Sequence, residues 1–116
     1  MQCRIGYVNV GVRDLDRSVA FYRDVLGFTL IFSEPQFHYA RFEVGGLTFG
    51  VAASEDAAGG RHTGIGLVVA DVDAAYAELS GKGVAFPMPP AKQPWGGYMG
   101  IFSDPDGNLY YLDTAP

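Results

Sequence analysis

A single cysteine, Cys3, is all the thiol chemistry this chain has, so no internal disulfide can form and a reducing cytosol suits it. Cys3 lies near the chain end with no obvious partner, which leaves little to argue for it as a nucleophile. Basic residues are scarce. With 8 Lys and Arg against 13 Asp and Glu, the net charge is −5, which argues against a phosphate-binding surface and hence against a nucleic-acid partner. No apolar run approaches the roughly 20 residues a membrane span needs, and residues 1–6 lack the apolar segment of a signal peptide. A cytoplasmic protein with no membrane partner is expected.

What is present is enough for a core: 116 residues, 48% apolar and 14% aromatic, predict one domain. Residues 12–28 read as a strand end, a capped helix and the start of another strand. Asp14 or Asp16 can accept N–H bonds at the helix start. Leu15, Val19, Tyr22 and Leu26 recur at helical spacing, and Gly27 stands where a left-handed cap is expected. A weaker copy occupies residues 69–83. Asp14 corresponds to Asp71, Leu15 to Val72, Asp16 to Asp73 and Ala20 to Ala77, at a constant offset close to half the chain.

In order, residues 5–12 alternate, with Val8, Val10 and Val12 on one face and Tyr7, Asn9 and Gly11 on the other. A helix over 15–26 follows, then strands over 28–33, 37–44 and 47–52, with Pro35 in a turn and Gly45-Gly46 closing a hairpin. Their short connections predict an antiparallel meander. Small, polar, glycine-rich residues make 54–62 a linker. The second half repeats the plan: a strand over 64–69, a helix over 72–80, a strand starting at 84–87, a glycine-rich strand over 95–102 and a last strand over 109–113. Residues 88–94 carry three prolines and read as an irregular loop. Residues 104–108 make a hairpin turn. The fold class expected is α+β: two tandem βαβββ modules, 1–53 and 63–116, joined by the linker 54–62.

These words resemble the vicinal-oxygen-chelate superfamily, which includes glyoxalase I, bleomycin-resistance proteins, fosfomycin-resistance enzymes and extradiol dioxygenases. The matching residues are Asp14-Leu15 with Ser18, Phe21-Tyr22 and Leu26-Gly27-Phe28; Asp71-Val72-Asp73; residues 93–96; and residues 104–108. The resemblance spans the whole chain and implies that each module is a curved mixed sheet forming half of a cup. In members with a metal, one ligand lies on the first strand and one on the last strand of each half. Counting from Asp14 and Asp71 places these positions at Tyr7, Gly50, Gly64 and Tyr111, where the enzymes usually have His or Glu. Glycine offers no side-chain ligand, and neutral tyrosine is a poor one. The resemblance therefore implies a metal-free branch like the bleomycin-resistance group, with no cofactor. His62 is the best surviving donor and reads as a linker or rim residue. His38, sharing a strand face with Ala40, Phe42 and Val44, reads as a packed histidine.

Strand parity turns Tyr7, Asn9, Thr48, Gly50, Gly64, Gly66, Leu109 and Tyr111 into the cup. Phe32 and Tyr39 are candidates to line the pocket, with Phe37 beside them, or to form a dimer seam. Trp95 and Tyr98 follow the proline-rich segment and can form a lip, or Trp95 can close the core. Arg41 can pair with Glu43, the favoured reading, or meet an anionic ligand. Tyr7, Asn9, Phe32, Tyr39, Gly50, Gly64, Trp95, Tyr98 and Tyr111 are thus the expected ligand-binding residues, and no catalytic residue is assigned. The function this implies is binding of a small aromatic or cationic molecule, as in antibiotic resistance, by a homodimer. The alternative is a divergent glyoxalase-type lyase or isomerase, or a dioxygenase, using a metal not visible in the sequence. A protein-interaction module on the same scaffold is a third reading, in which the chain's own side chains fill the cup.

Overall fold

The computed structural model describes residues 1–57 and 59–115. The chain divides into two compact units, Met1–Gly59 and Gly60–Pro116. Each holds a four-stranded mixed sheet and a helical segment, so the fold is α+β with the expected βαβββ plan in each half. Among the described residues no helix is long and apolar enough to cross a membrane.

The first unit begins with β1 (Val8–Val12), whose Val10 and Val12 are buried as the alternation predicts. Helix α1 (Leu15–Ala20) starts at Asp14, whose carboxylate accepts the Arg17 N–H at 3.1 Å. The expected helix over 15–26 changes pitch half-way: Phe21–Val25 is a π-helical turn, with the Leu26 N–H bonded to the Phe21 carbonyl at 3.0 Å. Phe21 and Tyr22, adjacent in sequence, are both buried there. Gly27 then takes φ 77° and turns the chain into β2 (Thr29–Glu34). A 3-10 turn (Pro35–Phe37) leads to β3 (Tyr39–Val44), and Gly45-Gly46, both at positive φ, to β4 (Leu47–Ala53).

The order is β1-β4-β3-β2. Strands β2, β3 and β4 form the expected antiparallel meander, and β1 pairs with β4 in parallel, the helical crossover carrying the chain from one edge to the other. The core under α1 is aromatic. The Tyr22 ring, fully buried, lies 5.2 to 6.1 Å from the rings of Phe21, Phe28, Phe42 and Phe49.

The second unit starts with β5 (His62–Val68), which begins inside the segment expected to be linker. Helix α2 (Val72–Gly81) is capped by Asp71, which accepts the Ala74 N–H at 3.0 Å. The proline-rich residues correct a second expectation: Met88–Lys92 forms β6, a strand rather than a loop. It lies at the sheet edge, in the order β5-β8-β7-β6, with its register broken between Met88 and Ala91 around Pro89 and Pro90. Gly100 on β7 (Tyr98–Ser103) lets β6 approach closely, since a Cβ there would stand 3.0 Å from the Met88 carbonyl oxygen and the Pro90 nitrogen. The last turn is held by Asp104, 4% exposed, whose carboxylate accepts the N–H groups of Asp106 and Asn108 at 2.9 and 2.8 Å and the Asn108 side chain at 2.9 Å. It leads into β8 (Leu109–Asp113), parallel to β5.

Candidate ligand-binding site

The face of the first sheet that packs against α1 is the apolar one: Val10, Val12, Ala40, Phe42, Phe49 and Val51. Alternation turns the intervening residues to the other face. There Phe32 stands opposite Arg41, Arg41 opposite Gly50 and Gly50 opposite Asn9, a row across all four strands. The row depends on a bulge. Leu30 pairs with Phe42, and Phe32 rather than Ile31 pairs with Arg41, so one extra residue in β2 re-aims the aromatic side chain onto this face.

Arg41 is the centre of the row. Its guanidinium carbon lies 5.5 Å from the ring centres of Tyr7 and Tyr39 and 5.8 Å from that of Phe32. Its Nε and Nη2 donate to the Tyr39 hydroxyl at 3.3 and 3.1 Å, and that hydroxyl donates to Asn9 Oδ1 at 3.0 Å. The ion pair with Glu43 favoured from sequence is not formed. Glu43 accepts the Gly46 N–H at 2.6 Å, and Arg41 pairs with no carboxylate among the described residues. Gly50 makes the cluster possible. A Cβ at this position would collide with Asn9 Oδ1 and the Tyr39 hydroxyl, so the space a side chain would occupy is taken by that hydrogen bond.

In the second unit, Gly66 stands opposite Tyr111, and Tyr111 opposite Ile101. His62 stacks on Tyr111, ring centres 5.5 Å apart and planes 29° apart. Gly64 lies between, at φ 73° in a stretch where the β5–β8 register breaks; Thr63 bridges the break, its hydroxyl donating to the Leu109 carbonyl at 2.7 Å and accepting the Ile65 N–H at 3.1 Å. Trp95 is 72% exposed, so it does not close this unit's core. Tyr98, expected at a lip, is turned the other way. It shares strand parity with Gly100 and Phe102, opposite to Ile101, and its hydroxyl donates to the Asp73 carboxylate on α2. That bond is the main cause of a raised Tyr98 pKa, with lost solvation and the charges of Asp73 and Asp71 adding to it.

The structure therefore brings Tyr7, Asn9, Phe32, Tyr39 and Gly50 together around Arg41. It joins Tyr111 to His62, and it sets Tyr98 apart from Tyr111. His38 corrects the packed reading. It is exposed, at φ 55°, and lines a groove with Arg13, Ala53, Ser54, Glu55 and Asp56.

The model of the Glyoxalase/Bleomycin resistance protein/Dioxygenase superfamily matches residues 4–111. The chain belongs to this superfamily. Solved structures agree across its whole length. A superfamily member from Sphaerobacter thermophilus DSM 20745 is 29% identical, with a TM-score of 0.85 and 98% of each chain covered. TnmS3, an antibiotic binding protein from Streptomyces sp. CB03234, is 29% identical, with a TM-score of 0.82, over 99% of this chain and 98% of its own. A bleomycin resistance determinant encoded on the transposon Tn5 is 25% identical, with a TM-score of 0.76, over 97% of this chain and 98% of its own. No curated protein matches the chain.

A divalent ion of the kind held by metal-dependent members of the superfamily needs several His, Cys, Asp or Glu donor side chains. Among the described residues no group of three or more His, Cys, Asp or Glu side chains comes together. At the position of Gly50 the neutral groups of Asn9 and Tyr39 fill the space.

Proposed function

We propose that this superfamily member is a metal-free small-molecule-binding protein that holds a flat aromatic ligand against the first sheet. The observation that carries the reading is the Asn9–Tyr39 hydrogen bond in the space over Gly50. It converts a position that serves metal ligation in the enzymes of the family into a polar contact flanked by Tyr7 and Phe32. Exposed rings with hydroxyl and amide groups between them suit a planar guest, each aromatic contact adding about 0.5–1.5 kcal/mol beyond burial. Arg41 weighs against the cationic guest suggested by the net charge. An antibiotic binding protein and a bleomycin resistance determinant among the structural neighbours support binding of a small molecule, and with it a role in resistance. The reading includes a cytoplasmic homodimer. Ile31 and Leu47, large apolar residues exposed on the first unit, are candidates for its contact.

Elemental analysis of natively purified protein, with melting measured after adding zinc, manganese or iron, tests the first half of the proposal. No bound metal and no shift are expected; one tightly held metal per chain overturns it. A calorimetric screen of planar compounds tests the second half, and light scattering tests the dimer.

A further inference from the structure

The geometry points to an aromatic carboxylate as the ligand, with Arg41 as the residue that selects it. The inference rests on the small-molecule-binding reading above. A guanidinium carries five N–H donors in a planar fork that matches a carboxylate edge-on. Tyr39 accepts from Nε and Nη2, and both Tyr39 and Asn9 are uncharged partners in this chain of contacts. Among the described residues no carboxylate pairs with the Arg41 guanidinium. The nearby carboxylates are turned elsewhere: Glu43 binds the Gly46 N–H, and Glu34, opposite Tyr39 in the register, accepts from the Gln36 side chain at 3.4 Å.

Arg41 is nonetheless held in place, half-buried, in contact with three rings and anchored on one hydroxyl. An arginine kept only to fill the sheet face would gain from pairing with Glu43, two residues along the same strand face. Here the charge is instead positioned by neutral groups, which leaves its remaining donors for an incoming anion. The rings fix what the anion is attached to. Tyr7, 56% exposed, and Phe32 lie within stacking distance of the guanidinium, so a carboxylate bound to Arg41 places an attached ring system beside them. A neutral aromatic uses the rings but not the charge, an inorganic anion uses the charge but not the rings, and a cationic aromatic meets repulsion.

The test is titration calorimetry of the full chain with 2-naphthoate, 2-naphthamide and 2-naphthylmethylammonium. Naphthoate should bind at least tenfold more tightly than the amide, and the ammonium more weakly than either. The preference should shrink as salt is raised. Arg41→Gln should abolish the preference of naphthoate over the amide, with an unchanged circular dichroism spectrum and a cooperative melt showing that the variant is folded. Arg41→Lys keeps the charge without the fork and should recover only part of the preference. Equal or tighter binding of the amide or the ammonium overturns the inference and leaves the binding reading standing, as does a naphthoate preference that survives Arg41→Gln. If neither these probes nor any planar compound of the wider screen binds, the underlying reading fails as well.

Discussion

Phe32 faces Arg41 across the β2–β3 pair only because Ile31 is an extra residue in β2. In an unbroken ladder Ile31 would stand opposite Arg41, and the aromatic ring would point to the sheet's other side. The bulge thus decides whether the guanidinium meets a ring or an aliphatic side chain. Phe32→Leu should leave the melting temperature within a few degrees, since Phe32 is only half-buried, but weaken binding of an aromatic ligand by about 0.5–1.5 kcal/mol, roughly twofold to thirteenfold. Calorimetry on the two proteins checks this; unchanged affinity would place the ligand elsewhere.

Gly50→Ala tests the cradle. Its backbone needs no left-handed conformation, so the strand itself tolerates alanine. The added methyl must push Asn9 and Tyr39 apart, and these are side-chain ends that can move. The expected loss of stability is about 1 kcal/mol, the size of one hydrogen bond. Ligand affinity should fall at least tenfold, because Arg41 loses its anchor. Urea denaturation and calorimetry on the same sample separate the two effects.

Asp104 holds a turn. Its buried carboxylate closes the last turn of the second unit through backbone and side-chain donors. Asp104→Ala leaves those donors without their acceptor and should cost about 2–4 kcal/mol. Chemical denaturation gives the value, and ligand affinity of the folded fraction should be unchanged.

The Tyr98–Asp73 contact sets an alkaline limit. The folded state raises the Tyr98 pKa above the ordinary phenol value of about 10. Its contribution to stability is therefore fully present below that value and is lost as pH rises through the raised one, where a phenolate would face the Asp73 carboxylate. Tyr98→Phe should lose less stability than the parent protein between neutral pH and pH 11. Thermal melts across that range, in matched salt, read the difference.

Much of this architecture was legible in the sequence, because it is written in local chemistry. Asp14 and Asp71 cap their helices through the carboxylates the pattern pointed to, Gly27 takes the left-handed conformation, and Val10 and Val12 face the helix. Parity also assigned Tyr7, Asn9 and Gly50 to one face. What escaped depends on register and pairing between distant strands. The bulge at Ile31 has no signature in its own residues. The break between His62 and Gly66 moves Gly64 out of regular pairing. As neighbours along one strand face, Arg41 and Glu43 suggest an ion pair. Only the turn geometry, which gives Glu43 the Gly46 N–H, shows why they do not meet. Its place after the proline-rich segment suggests a lip for Tyr98, whereas its position on β7 turns the hydroxyl to Asp73 on α2. Proline is barred from a sheet's centre, which predicts a loop for the proline-rich segment, yet an edge accepts it.

That edge has a bearing on how the protein behaves at high concentration. An outermost strand with a full set of backbone donors is a template on which another chain can align and grow. The consecutive Pro89 and Pro90 leave β6 one donor short on its open edge, and the register break beside them spoils the regular spacing a docking strand would need. The second sheet therefore carries its own guard against fibrous self-assembly on that side, and replacing both prolines with β-branched residues should remove it.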